Sequence, residues 1–343
     1  MDDAREFGRR KRLLIIGAVL GVLLFVVMPL TMSLMQVLRD KAENLQGAVL
    51  ESRQRLDGGL FVRSIDPWNR RVVCVTHMND GAELIDAQGR HEIAHLNLSV
   101  VRSTAWHKDG KHFVAANYSG KIALYDVGGK HQKLEEVSFL SKGLKTPVSI
   151  LDIRWLGDDL LCATSDGGME CWRLKNDRLE PIDKQVLVKG IDASEAALNS
   201  SGGVVYKSHA AKGETVASWV KSVGAPVQKR RFTNIHITYQ FACTPEGDLI
   251  WRDQNELHLL REGQDIVLGA DIELGSKFTT DASGRRLLAS NSDGALVYDL
   301  QTQKKIAHVK GLGNCNDGQI WESGEGFTLA TYERVLHYRL TSK

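Results

Sequence analysis

The chain has 343 residues, of which 43% are hydrophobic, 25% charged and 7% aromatic, and its formal net charge is +2. These values are typical of a folded protein and exclude a disordered, collagen-like or disulfide-scaffold chain. Nucleic-acid binding needs clustered Lys and Arg against phosphates, so this balance predicts that nucleic acid is not a partner.

The N-terminal region has the pattern of a membrane anchor. Residues 1–12 form a basic tail, and residues 13–38 carry no charge. About 20 helical residues cross a bilayer core, so residues 13–38 are predicted to be a transmembrane signal-anchor helix. The basic residues keep the tail in the cytoplasm and send the rest of the chain across, which best fits a bacterial inner membrane and the periplasm. The tail's basic residues are Arg5, Arg9, Arg10, Lys11 and Arg12.

Two other interpretations of this segment stay open. A cleaved signal peptide also begins with a basic region, but its apolar run is shorter and ends at an Ala-x-Ala-like site, which is absent here. The other is a buried helix of a soluble domain. Within the predicted span, Gly17 and Gly21 lie on one helix face, the spacing with which small residues let membrane helices pack.

Residues 58–343 contain seven copies of one sequence repeat: a polar turn, an apolar strand, a second turn and a strand with alternating apolar and polar residues. The copies recur about every 42 residues, and period-two alternation predicts strands with one face buried and the other less so. Pairs such as Ser119-Gly120 and Asp293-Gly294 are hairpin-turn signals. Equivalent positions of the first turn are Asn69, Gly110, Asp158, Gly202, Gly247, Gly284 and Gly324.

Two copies resemble the WD-repeat family at the end of the repeat. Tyr125-Asp126 and Tyr298-Asp299 stand where that family has Trp-Asp, and Ile85-Asp86 is a looser version. The resemblance implies an all-β, seven-bladed β-propeller preceded by one transmembrane helix, and a quinoprotein-like propeller is the related alternative. Trp106 and Trp155 hold the same repeat position and are expected in the core between blades.

The segment 39–57 is predicted to be a juxtamembrane segment that includes a closing strand. The last copy of the repeat ends so near the C-terminus that no fourth strand fits after it. Residues 47–51 are the candidate for that strand, because pairing the chain ends removes two exposed sheet edges. In the alternative, the membrane helix continues through 40–45 and the last blade keeps three strands.

The five cysteines contain no C-x-x-C pair, so a zinc site of the usual spacing is not predicted. Cys162 and Cys171 flank the Asp166-Gly167 turn symmetrically and should face each other across a hairpin. Two small, buried, reduced thiols are the expected state, and a disulfide is the alternative if the propeller is exported.

The common nucleophile and nucleotide-binding motifs are absent: the chain has no nucleophile elbow, no phosphate-binding loop and no dinucleotide fingerprint. No pair at helical i, i+4 spacing occurs among the eight histidines within or beside predicted strands and turns, which are His77, His107, His112, His131, His209, His236, His258 and His337. The sequence therefore predicts no catalytic residue, no cofactor, no metal ligand and no identifiable small-molecule ligand. The basic triplet Lys229-Arg230-Arg231 is expected in a solvated loop between blades.

These observations favour a membrane-anchored propeller that acts as a non-catalytic, protein-binding scaffold or accessory subunit of a membrane or envelope complex. Its expected partners are the other subunits and, through the N-terminal helix, the lipid bilayer. The alternative is a propeller enzyme or ligand sensor of the hydrolase, lactonase or quinone-dependent dehydrogenase type, with its site in the central channel.

Overall fold

Every regular element that the computed structural model describes is a β-strand. Among the described residues, no helix has the length and apolar character needed to cross a membrane. The tail 1–12, the predicted membrane helix 13–38 and its Gly17 and Gly21 lie outside this part of the chain. The described residues are 44–56, 60–76, 82–85, 91–92, 101–139, 150–156, 158–165, 168–182, 195–198, 204–210, 214–220, 226–233, 241–270, 277–313, 315–332 and 334–341.

Strands in the first half of the chain are β1 (Asn44–Gln46), β2 (Ala48–Arg55), β3 (Leu60–Ile65), β4 (Val72–Thr76), β5 (Ala82–Ile85), β6 (His91–Glu92), β7 (Val101–Trp106), β8 (His112–Asn117), β9 (Lys121–Asp126), β10 (Gln132–Ser138), β11 (Ile150–Leu156), β12 (Leu160–Ser165), β13 (Gly168–Lys175) and β14 (Arg178–Ile182). Those in the second half are β15 (Glu195–Leu198), β16 (Val204–Ala210), β17 (Glu214–Val220), β18 (Gln228–Thr233), β19 (Phe241–Cys243), β20 (Leu249–Asp253), β21 (Glu256–Arg261), β22 (Gln264–Gly269), β23 (Lys277–Thr280), β24 (Arg286–Ser290), β25 (Ala295–Asp299), β26 (Lys304–Lys310), β27 (Cys315–Ile320), β28 (Gly326–Thr331) and β29 (Arg334–Leu340).

The described strands form seven antiparallel sheets in chain order. The first five sheets are β3–β6, β7–β10, β11–β14, β15–β18 and β19–β22, the sixth is β23–β26 with β1 added, and the seventh is β27–β29 with β2 added. The first strand of each sheet contacts the first strand of the next, and β27 returns to contact β3. The sheets therefore follow one another in a closed cycle, which is the arrangement of a β-propeller.

Residues near the start of the described chain complete the last two sheets. Strand β2 pairs with β29 from Ala48 opposite Leu340 to Arg55 opposite Arg334. The sequence pattern predicts a closing strand at 47–51, and the structure has a longer strand there, Ala48–Arg55. Strand β1 lies beside β26 in the preceding sheet. The sheets thus include residues before 58, the position at which the repeat pattern predicts that the propeller begins.

Gly47 lets the chain step from one sheet to the next between β1 and β2. Its φ of +71° is a conformation that glycine adopts freely. A side chain here would also collide with the main-chain oxygen of Ile306 in β26. Because both constraints act on the same residue, this crossing requires glycine.

The middle strands are buried more completely than their alternating sequence suggests. Strands β8 and β28 are buried at every residue, whereas the outer strand β10 has no fully buried residue. The prediction of one less-buried face is wrong for these middle strands, because each sheet packs between two neighbours. Trp106 and Trp155 are both 6% exposed within the apolar clusters, which confirms their predicted place in the core.

The structure confirms the predicted turn at Ser119-Gly120 and corrects the predicted loop at 229–231. Ser119-Gly120 forms the predicted hairpin turn, where Gly120 has φ of +76° and Asn117 Oδ1 accepts from the main chain of Ser119. By contrast, Lys229-Arg230-Arg231 lies in strand β18 and not in a loop. This strand is outermost in its sheet, so exposed charged side chains are tolerated there.

Candidate functional site

The turn between β7 and β8 brings two histidines and an aspartate together. The main-chain N–H of His107 donates to the carbonyl oxygen of His112 at 2.9 Å, so these residues face each other at the hairpin end. The Asp109 carboxylate accepts from the main-chain N–H groups of Lys111 (2.8 Å) and His112 (2.9 Å). Gly110 completes the turn with φ of +67°. The local sequence thus fixes the Asp109 carboxylate above the turn.

The three side chains converge on a small volume. Asp109 Oδ2 lies 2.9 Å from His107 Nδ1 and 2.6 Å from His112 Nδ1. One ligand atom from each residue lies within 4.8 Å of the other two. Each histidine is 6% exposed, whereas the Asp109 side chain is 35% exposed. The cluster is therefore enclosed on the imidazole side and reaches solvent through Asp109.

The outer nitrogens of both rings are hydrogen-bonded to the neighbouring sheet. His107 Nε2 lies 2.6 Å from the main-chain oxygen of Asp158, and His112 Nε2 lies 2.9 Å from Asp177 Oδ1. A carbonyl or carboxylate oxygen only accepts, so a neutral ring with its single proton on Nε2 donates that proton outward and carries a lone pair on Nδ1. Both Nδ1 atoms then face Asp109 Oδ2.

Further contacts hold these partners in place. Lys111 Nζ lies 3.1 Å from Asp177 Oδ1, and Lys108 pairs with the Asp158 carboxylate. The ring of Trp155 meets that of His107 edge-on, with 4.7 Å between centroids. The cluster therefore joins the second sheet to the third through fixed side chains.

Electrostatics keep the carboxylates of this site ionised. Partial burial acts to raise the pKa of Asp109, but hydrogen bonds outweigh it and hold that pKa well below its usual range: those from the main chain of His112 and Lys111, and those from the His112 and His107 rings when Nδ1 is protonated. The pKa of Asp177 is also lowered, first by the hydrogen bond from Lys111 and then by the one from His112. Two negative groups thus surround a pair of imidazoles.

A second feature is an open groove of about 880 Å³ on the turns of the fourth, fifth and sixth sheets. In its wall, Arg261 Nη2 lies 2.6 Å from Asp248 Oδ2, and Arg261 Nη1 donates to the main-chain oxygen of Leu300 at 2.8 Å. The groove therefore has a wall braced between two sheets. Residues lining it include Trp219, Lys229, Glu246, Asp248, Arg261, Glu262 and Arg285.

The two cysteines singled out by the sequence lie directly opposite each other in β12 and β13. The Sγ atoms of Cys162 and Cys171 are 2.6 Å apart, and both residues are buried as free thiols. Burial, and then the neighbouring Cys171 sulfur, raise the pKa of the Cys162 thiol well above its usual value. The disulfide between them stays a prediction.

The histidine cluster is not predicted by helical i, i+4 spacing, because its two histidines lie at the ends of a hairpin turn. His107 and His112 are five residues apart, the separation that closes this hairpin turn. The signal that was available is the string His-Lys-Asp-Gly-Lys-His, in which two histidines flank an Asp-Gly turn. Asp158 and Asp177 could not be found this way, since they come from the next sheet.

No protein-family model matches this chain, and no curated protein does either. Among solved structures, a chain of the Kuenenia stuttgartiensis hydrazine synthase is similar, with a TM-score of 0.58 and 11% identity over 81% of this chain and 94% of that chain. The Cps50 (Swd1) β-propeller domain of Myceliophteria thermophila has a TM-score of 0.58 and 12% identity, over 86% of this chain and all of that domain. At such identities the likeness concerns the fold alone, and this chain has a β-propeller fold.

Proposed function

We propose that this chain is a seven-bladed β-propeller, each of its seven sheets being one blade, and that it is a non-catalytic binding platform held beside a membrane. In this proposal, its partner is a protein subunit of a membrane or envelope complex. The observation that carries the proposal is the open groove built by the turns of three neighbouring sheets.

The groove suits a polypeptide with charges of both signs. Lys229, Glu246 and Glu262 are exposed side chains along it, so basic and acidic groups stand close together. The braced pair of Arg261 and Asp248 forms part of the wall. A rigid wall lowers the entropic cost of binding, because little has to be ordered when a partner arrives.

The membrane part of the proposal rests on the sequence. The uncharged segment 13–38 is long enough to cross a bilayer, and the basic tail before it favours a cytoplasmic N-terminus and a periplasmic propeller in a bacterial inner membrane. An anchor raises the effective concentration of the propeller near membrane partners. Gly17 and Gly21 are the positions proposed to pack against a partner helix.

The test is gentle detergent extraction of the full-length chain with a C-terminal tag, followed by identification of co-purifying proteins. We expect a specific partner that is lost when the groove charges are reversed by Lys229→Glu and Glu262→Lys. The matched control is Lys130→Glu, an exposed charge change on a turn of the second sheet. Retention of the partner by the groove variant, or purification of the chain alone, would contradict the proposal.

Topology is tested separately. A reporter fused after Lys343 that is active only in an exported compartment should be active, and one that is active only in the cytoplasm should be silent. The opposite pair of results would overturn the proposed orientation.

A further inference from the structure

The histidine cluster brings three electron-pair donors together. With its single proton on Nε2, each imidazole donates outward, to Asp158 or to Asp177, and turns Nδ1 toward Asp109 Oδ2. The main-chain N–H of Asp109 also points at His107 Nδ1 from 3.3 Å, which fits a lone pair on that nitrogen. Lone pairs that converge on one point repel unless a positive group lies among them.

We propose that His107 Nδ1, His112 Nδ1 and Asp109 Oδ2 bind a divalent transition-metal ion such as Zn²⁺. Two imidazole nitrogens and one carboxylate oxygen form a set that suits zinc and its neighbours and disfavours Mg²⁺ or Ca²⁺, which take oxygen ligands. Three protein ligands leave a fourth position, and the exposed side of Asp109 gives that position access to water.

The surroundings match those of a metal site in the protein. Histidine ligands usually donate their second ring N–H to a carboxylate or a carbonyl, and this holds the ring in the coordinating orientation. Here His107 has the Asp158 carbonyl and His112 has the Asp177 carboxylate in those roles, at 2.6 and 2.9 Å. Neither partner is on the turn itself, so these contacts are not a by-product of its local fold.

The spacing needs only a small adjustment. Ligands about 2.1 Å from a tetrahedral ion lie roughly 3.4 Å from one another. Asp109 Oδ2 is 2.9 and 2.6 Å from the two nitrogens, so it must withdraw by less than about 1 Å on binding. Asp109 is held to the turn through Oδ1, and its side chain is 35% exposed, so Oδ2 can swing outward by that amount without breaking the turn.

The experiment measures Zn²⁺ binding to the full-length chain in detergent, purified without a histidine tag and stripped with a chelator. Isothermal titration gives affinity, and the absorption of Co²⁺ as a substitute ion reports the ligand type. His107→Gln, His112→Gln and Asp109→Asn each remove one ligand, and the asparagine retains an acceptor for the turn. The control is His258→Gln, because His258 also pairs with a carboxylate, Asp265 at 2.9 Å, but lies outside the cluster.

We expect one Zn²⁺ per chain, at least tenfold weaker binding in each ligand variant and no change in the control. The Co²⁺ spectrum should lack the strong near-ultraviolet band of thiolate ligation, which excludes the cysteines as the site. Equal binding by wild type and ligand variants would overturn the proposal. Absence of Zn²⁺ binding in a folded wild-type chain would also overturn it, and would leave a proton shared by His112 and Asp109 as the positive group. None of these outcomes depends on whether a protein partner binds the groove.

Discussion

The turn at His107 and the equivalent turn at Asp66 have the same hydrogen-bonded closure and different chemistry. Asp66 N donates to Arg71 O at 2.7 Å, as His107 N does to His112 O at 2.9 Å. In the Asp66 turn, the buried carboxylate receives Arg71 Nε at 2.9 Å, so an acceptor meets a donor. In the His107 turn, two imidazole Nδ1 atoms meet the Asp109 carboxylate, at 2.9 and 2.6 Å.

Both turns also link their sheet to the next one. Arg71 donates to Gly110 O (2.7 Å) and Val127 O (3.0 Å) of the second sheet, while the histidines reach the third sheet. This turn position therefore joins neighbouring sheets in both places. In the Asp66 turn an ion pair between Asp66 and Arg71 completes this joint. In the His107 turn we propose that a bound metal ion does so.

The largest expected effect comes from breaking the Asp66 joint. Asp66→Ala removes the partner of the Arg71 guanidinium, which is only 14% exposed, and we expect the free energy of unfolding to fall by about 3–5 kcal/mol. Denaturant unfolding followed by tryptophan fluorescence measures this. The control is Lys175→Ala, whose ion pair with Glu180 is largely exposed and should matter little. A similar, small effect of both changes would contradict the assigned role of Asp66.

The next largest effect is expected when the His107 turn is given the residues of the Asp66 turn. The double change His107→Asp and His112→Arg gives the second sheet the Asp-Arg pair of the first. At a Zn²⁺ concentration 100 times Kd, the wild type should gain about 2.7 kcal/mol of unfolding free energy, and the double variant should gain none. Thermal unfolding with and without Zn²⁺ is the measurement. Continued stabilisation of the double variant by Zn²⁺ would show that the ion binds elsewhere.

A smaller, pH-dependent effect is expected in the seventh sheet, where Glu322 lies in the equivalent turn. Burial, and then the charge of Asp281, raise the pKa of Glu322 from 4.5 to about 7. Between pH 4.5 and 7, Glu322 is protonated in the folded state and ionised in the unfolded state. The contribution of Glu322 to the free energy of unfolding is therefore greatest below pH 4.5 and is lost as the pH rises through 7. Glu322→Gln should therefore stabilise the chain at pH 8 relative to pH 4.5, by about 1–2 kcal/mol after allowance for solvent.

The comparison variant for this effect is His337→Asn, which should have the opposite sign. Burial first, and then the charge of Arg70, lower the pKa of His337 from 6.5 to about 4. Its neutral form favours the folded state above pH 6.5, and that contribution is lost as the pH falls through 4. Unfolding curves from pH 4 to 8 measure both variants. The same pH trend in the two variants would contradict these assignments.

The repeat and the fold could be predicted because they depend on local signals. Glycines such as Gly110 and Gly284 mark turns that need positive φ, and the apolar strands between them have a regular period. The closing strand could be expected because residues 47–51 were available to pair with the end of the chain. Its full extent, to Arg55, could not be predicted, since strand length is set by the partner strand β29.

The candidate site was less predictable because half of it is non-local. The separation of His107 and His112 is informative only once they are known to close a hairpin, and helical spacing was the wrong test. Asp158 and Asp177 follow His107 by 51 and 70 residues in the sequence and meet the cluster only when two sheets pack. The charged triplet at 229–231 misled for a similar reason, since an outermost strand accepts charges that resemble those of a loop.

The pairing of β2 with β29 also bears on how the protein is made. Strand β2 is synthesised well before β29, the strand that it pairs with, which ends at Leu340. The ring therefore cannot close until β29 has been synthesised, and until then β2 has an unpaired edge that can pair wrongly. The contact joins residues almost 300 positions apart, so we expect closure to be the slow, late step of folding.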